Sequence, residues 1–207
     1  MGKVEDKKKQ KSDTLFFSAF NLFTSKGFNE TTIADIVKEA GVAKGTFYLY
    51  FKDKYDLREK LIAYKASILF QNALDAYLKS ELALEEKVRD IEGKMIFFVD
   101  NVINQLKNNR PLMRLISKDL SWGVYKHAFS YQANGGEFDF YNVYKQMLDK
   151  ARVKCEKPDI LLFSIIDLTG STCYSSIMFN EPLPIDEYKP YLYKNIRAII
   201  SENCIYE

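Results

Sequence analysis

The chain has 207 residues, of which 47% are hydrophobic and 28% charged, with a formal net charge of +2. This balance excludes an intrinsically disordered chain and supplies a core for one large domain or two small ones. Charge is uneven: residues 1–58 hold 11 Lys and Arg against 8 Asp and Glu, the remainder 19 against 20, and Lys7, Lys8, Lys9 and Lys11 cluster near the start. A mildly basic N-terminal part suits a polyanionic partner, although a solvated terminus accounts equally for the lysine cluster. Cys155, Cys173 and Cys204 are an odd, scattered set with no close pairing, which fits a reducing compartment. Residues 1–12 are polar, unlike a secretory leader, and no apolar run reaches the roughly 20 residues a bilayer needs, so a cytoplasmic location is expected.

In chain order the pattern predicts helix almost throughout. The first helix spans about Lys11–Lys26, with Phe16, Ala19, Phe20 and Phe23 forming one apolar stripe and Gly27 ending it. A second begins at Thr32, where Thr32 and Asp35 have the spacing of a capping box, and ends at Gly41. A third follows at once, Lys44 to about Phe51. Long helices are predicted from Asp53 to about Leu78 and from Leu84 to Asn108, then a short one from Pro111 to Leu120. Ser121–Glu137 is the least regular stretch. Further helices are predicted at Phe138–Lys154, Pro158–Phe179 and from near Asp186 to Asn203, with Pro190 in the first turn of the last. No strand alternation persists. The expectation is an all-α, nine-helix, two-domain protein: residues 1–56 a helix-turn-helix domain, residues 57–207 a ligand-binding and dimerisation domain.

Three short helices within about 40 residues, the last two joined by the tight turn Gly41-Val42-Ala43, have helix-turn-helix spacing. An α-helix fits the B-DNA major groove and needs a second helix to hold it there. Ile33, Ile36, Val37, Val42, Phe47 and Phe51 form the inward set. Gly45, Thr46, Tyr48 and Leu49 then face outward, with Lys44 at the leading edge. Gly45 lets the backbone approach DNA, Lys44 can donate to guanine, and Thr46 can meet a base edge or a thymine methyl. Lys52 and Lys54 lie beyond the helix, where phosphates would run.

The segment from Thr31 to Leu57, together with Ala19–Phe28, resembles the DNA-binding segment of the TetR family of regulators; the close match covers about residues 12–58. The resemblance implies that Thr32 contacts a phosphate and that Lys44, Gly45 and Thr46 meet base edges. It implies that the Tyr48 hydroxyl binds a phosphate, that Leu49 and Tyr50 lie at the groove wall, and that Lys54 pairs with a phosphate. Ala43 departs from the pattern, where Ser is frequent, and loses a helix cap worth about 1 kcal/mol.

The rest of the chain is similar to that family in the number, length and order of its helices. Helix 158–179 is apolar nearly all round and small in its second half (Gly170, Ser171, Thr172, Cys173), and the last helix offers Leu192, Ile196, Ile199 and Ile200. These two helices could pack against their twins in a homodimer that reads a near-palindromic double-stranded DNA operator, or could simply form core. The preceding helices would enclose a pocket for a small-molecule effector, gated by Ser121–Glu137. Trp122, Tyr125, His127 and Phe129 there combine apolar bodies with polar tips, while Met95, Phe97 and Phe98 read as core. The resemblance implies a ligand-responsive repressor. No cofactor or metal is expected: the nucleotide-phosphate glycine patterns are absent, the three cysteines lack zinc-ligand spacing, and the single His127 has no nominated partner. The rivals are a helical sensor or carrier that no longer binds DNA and, more remotely, an interaction scaffold.

Overall fold

A computed structural model of the chain describes residues 3–80, 91–117, 122–129 and 140–206, the side chains of residues 3–9, 122, 125 and 127 excepted. Its helices are α1 (Lys3–Ser25), α2 (Ile33–Glu39), α3 (Lys44–Tyr48), α4 (Lys54–Leu78), α5 (Ile91–Lys107), α6 (Arg110–Ile116), α7 (Trp122–Phe129), α8 (Phe140–Lys150), α9 (Pro158–Met178) and α10 (Ile185–Asn203). Each of the nine predicted helices has its counterpart, and α7 adds one where irregular chain was expected. The predicted residues Leu84–Asp90 lie outside the described ones.

Several expectations are corrected. Helix α3 ends at Tyr48, three residues early, because the amides of Tyr50 and Phe51 both turn back to the Phe47 carbonyl, at 3.0 Å each. Residues 153–154 are strand rather than helix: β1 (Val153–Cys155) pairs antiparallel with β2 (Cys204–Tyr206), bringing Cys155 opposite Cys204. The cysteines are therefore distant only in sequence. Pro190 sits in the second turn of α10, where it removes one ladder hydrogen bond. Helix α9 is long and apolar enough to cross a membrane by length and composition, contrary to the sequence reading. It packs on α10, and the Thr169 and Ser176 buried along it read as a core helix with one face outward.

The chain divides into two compact units, Met1–Ala63 and Tyr64–Glu207, so the division falls within α4. In the first unit, Leu15, Phe16, Ala19 and Phe23 of α1 are buried, as are Ile36, Val37, Phe47 and Phe51. Phe51 is the hinge of this core, with the rings of Phe16 and Phe47 at 5.4 and 5.5 Å. Each such phenyl contributes about 1.5–3 kcal/mol by leaving water.

In the second unit α10 lies against α5 and α9, with Leu192, Ile196 and Ile200 fully buried within the same chain. That removes these three from the dimer face expected of them. A polar network fastens α5 to α10 at its edge: Lys189 lies 2.7 Å from Asp100, Tyr193 donates to the same carboxylate, and Lys107 lies 2.6 Å from Asp186. Burial alone would raise Asp100, but Lys189 and Tyr193 hold it below the usual carboxylate range.

Candidate functional site

The capping box that opens α2 is complete. The Thr32 hydroxyl accepts from the Asp35 amide at 3.1 Å, and the Asp35 carboxylate accepts from the Thr32 amide at 2.9 Å. Asp therefore substitutes for the longer Glu or Gln. Lys26, at the end of α1, donates to the same carboxylate at 2.8 Å, and this hydrogen bond, followed by those from Thr32, holds Asp35 far below its ordinary value. Thr31, one residue earlier, is buried and donates to the Gly27 carbonyl at 2.7 Å. The turn into α3 needs Gly41, whose φ of +64° is unfavourable for any residue with a Cβ.

Gly45 is a different case. Its backbone is ordinary, and a Cβ built there would meet nothing within 4 Å. Neither conformation nor packing in this chain demands glycine, which weakens a helix interior by up to about 1 kcal/mol relative to alanine. Around it Lys44 is exposed, Thr46 is half-buried, and Tyr48 and Leu49 are 52% and 77% exposed. Phe47, between them, is fully buried. Tyr50 is half-buried, with its ring 6.2 Å from Phe51. Ala43 supplies no side-chain cap, as expected, and the Thr46 amide donates to the Ala43 carbonyl at 2.8 Å in the first turn of α3.

Lys54 departs from its sequence reading as a phosphate anchor. Its ammonium donates to the carbonyls of Phe28 (2.9 Å), Thr31 (2.8 Å) and Asn29 (3.4 Å) and lies 4.4 Å from the Phe28 ring centre. All three N–H donors point at the loop between α1 and α2, which they tie to the start of α4. Lys52 is exposed, and its ammonium has no such partner among the described residues.

The second unit contains a cavity with about 810 Å³ of space free of atoms, part of it open to solvent. Residues of α4, α5, α6 and α9 line it, together with Phe140 at the start of α8. Met95 and Phe98, expected to be plain core, are wall residues; so are Thr169, Gly170 and Cys173, from the small half of α9. Small residues on one face of an apolar helix leave unfilled volume, and that was the sequence signal for a cavity.

The walls carry no charged side chain. Their polar atoms come from Ser117, Thr169 and Cys173. Thr169 donates to the Ile165 carbonyl at 2.7 Å, and burial pushes the Cys173 thiol up to about 12. The Ser117 hydroxyl is buried with no hydrogen-bond partner among the described residues. Of the pocket residues expected from sequence, the side chains of Trp122, Tyr125 and His127 lie outside the described ones. Phe129 is buried one layer behind the wall, with its ring 5.3 Å from Phe70 and 5.4 Å from Phe140. Among the described residues no three His, Cys, Asp or Glu side chains converge as metal ligands would.

The model of bacterial regulatory proteins of the tetR family matches residues 17–61. Over 73 residues the chain is 33% identical to an uncharacterised HTH-type transcriptional regulator of Bacillus subtilis, YuxN, covering 35% of this chain but only 25% of that protein. Likeness in fold extends further. A putative TetR-family regulator from Syntrophomonas wolfei superposes with a TM-score of 0.64 at 18% identity, covering 92% of this chain and 95% of that one. FadR of Bacillus subtilis, in complex with stearoyl-CoA, superposes with a TM-score of 0.58 at 16% identity over 90% and 98% of the two chains. The capping box, the glycine turn and the outward face of α3 all lie within the segment that matches the model of the tetR family of bacterial regulatory proteins.

Proposed function

We propose that the protein is a sequence-specific, DNA-binding transcriptional regulator, a ligand-responsive cytoplasmic repressor that binds a near-palindromic operator as a homodimer, and not an enzyme. The observation that carries this reading is Gly45. A glycine that the fold does not need, flanked by exposed Lys44 and Tyr48, serves close approach by something outside the chain. The major groove is the surface that a helix end of this size fits. Lys44, Gly45 and Thr46 then meet base edges, Tyr48 and Thr32 donate hydroxyls to phosphates, and Leu49 and Tyr50 line the groove wall. Lys52 takes the phosphate anchor, and Lys54 holds the frame.

The homodimer face is the outer stripe of α9 with part of α10. Ile160, Phe163 and Phe179 are 57%, 37% and 60% exposed, and Tyr191 is 61% exposed. Large apolar side chains gathered on two neighbouring helices support an association surface. The effector is a small molecule with an apolar body, taken up by the uncharged cavity with its polar end at Ser117. FadR of Bacillus subtilis holds stearoyl-CoA, which supports an aliphatic chain as the first class to try. Binding would release DNA only if it favours one of two states over the other.

Selection of bound sequences from a random duplex pool tests the reading. A near-palindromic site with half-sites about one helical turn apart is the expected result. Recovery of nothing by a folded dimer would favour a sensor or carrier that has lost its operator. That second reading draws on the cavity alone and leaves Gly45 without a purpose.

A further inference from the structure

We propose that Cys155 and Cys204 are a reversible disulfide site, closed by a peroxide and reopened by a thiol. The two lie directly opposite each other in the β1–β2 pair, and both are free thiols. Facing residues in an antiparallel pair have Cα atoms about 4.5 or 5.5 Å apart, and both spacings fall within the range a disulfide spans. Burial, with Cys155 beside it, pushes the Cys204 thiol up to about 12.

The pair is asymmetric in a useful way. Cys155 is half-buried and can be reached from solvent, whereas Cys204 is 6% exposed. The Cys155 thiolate attacks one peroxide oxygen. The O–O bond breaks, the leaving oxygen departs as water once protonated, and Cys155 becomes a sulfenic acid. The Cys204 sulfur then attacks the Cys155 sulfur. The S–S bond forms, the S–O bond breaks, and the departing hydroxide takes the Cys204 proton as a second water. Two electrons pass from the sulfurs to the peroxide. A free thiol restores both cysteines by exchange. Cys173, fully buried in the cavity wall, takes no part.

The location gives the bond a consequence. The segment between the two cysteines holds all of α9 and α10. A bond at its neck ties the base of α9, which provides one cavity wall, to the end of α10, and constrains the unfolded chain as well.

The experiment treats the purified full-length chain with hydrogen peroxide, blocks remaining thiols with an alkylating reagent, and maps peptides by mass before and after a reductant. The expected result is one alkylated cysteine, Cys173, and a Cys155–Cys204 linked peptide that disappears on reduction. The thermal midpoint should rise on oxidation and return on reduction, and C155S should show neither change. The proposal is overturned if three cysteines remain alkylated, if the linkage is between chains or includes Cys173, or if oxidation lowers the midpoint, because the bond would then prise the strands apart.

Discussion

The two units of this protein use polar groups in opposite ways. In the first, polar side chains hold backbone in place. Lys54 gathers three carbonyls of one loop, Lys26 and Thr32 converge on Asp35, and Thr31 is tied to Gly27. In the second, the cavity walls carry no charge and enclose unfilled space, and the ion pairs of Asp100 and Asp186 stand at the edge of the helix packing. A small core cannot fix the crossing of three short helices by area alone, so directional bonds do it. A larger core can tolerate a void and exchange what fills it. The difference separates a part whose shape must be constant from a part whose contents can change.

Removing the centre of the first unit should have the largest effect. Phe47 is fully buried between half-buried Thr46 and exposed Tyr48 on α3, and Phe47→Ala should cost about 3–5 kcal/mol. Chemical denaturation followed by circular dichroism should then show an early transition for the first unit, ahead of most of the helical signal. A single, uniformly shifted transition would mean that the two units unfold as one and that the contrast drawn between them is too sharp.

Lys54→Ala comes next, at about 1.5–3 kcal/mol for the loss of charge-assisted bonds to the loop. Binding to mixed DNA, measured where the variant is still folded, should keep its salt dependence, while Lys52→Ala should reduce the salt slope by about one unit. A reduced slope for Lys54→Ala would restore the phosphate role first read from the sequence.

Much of the first unit was legible in advance for a physical reason. Its helices are short and each carries its own punctuation: Thr32 with Asp35 at one end, Gly41 at the other, and an apolar spacing that separates Phe47 and Phe51 from Lys44, Thr46 and Tyr48. Those rules act over three or four residues, which is the range a sequence displays. Lys54 escaped because its partners are carbonyls some 23–26 residues away, and a carbonyl leaves no trace in side-chain chemistry.

The walls of the expected pocket escaped for a related reason. Met95 and Phe98 look the same in a filled core and in a wall, and what separates the two cases is the absence of atoms opposite them. Leu192, Ile196 and Ile200 were read as an outer face because they form a clean stripe, but a stripe does not say which neighbour covers it. The β1–β2 pair was too short to show alternation, so the meeting of Cys155 and Cys204 was invisible as well.

Lys44→Ala tests the outward face at a smaller scale. It should relax base preference at one operator position, by about 1–3 kcal/mol, without altering stability. Equal weakening on all sequences would make Lys44 a phosphate contact and leave Gly45 and Thr46 as the readers. Either result concerns the face that the fold leaves alone, in contrast to Phe47 and Lys54, whose loss is felt first by the unit itself.

The smallest effect should come from pH, and it isolates the directional bonds of the first unit. The Lys26 ammonium, then the Thr32 groups, hold the folded Asp35 carboxyl well below its ordinary value, while the unfolded chain binds its proton near the usual value of about 4. The folded pKa is the depressed one, so the stabilisation is fully present above the ordinary carboxylate range and is lost as pH falls toward the folded value. Asp35→Asn keeps an oxygen that can accept from the Thr32 amide but has no charge to lose. The wild-type unfolding midpoint should therefore drop more steeply than that of the variant as pH falls below about 5, with the gap closing only as pH approaches the depressed folded value. Because Asp35 is at the surface, the gap should also narrow as salt is raised. Parallel acid limbs would mean that the carboxylate caps α2 through geometry alone, and that Lys26 adds nothing to the hold of α1 on α2.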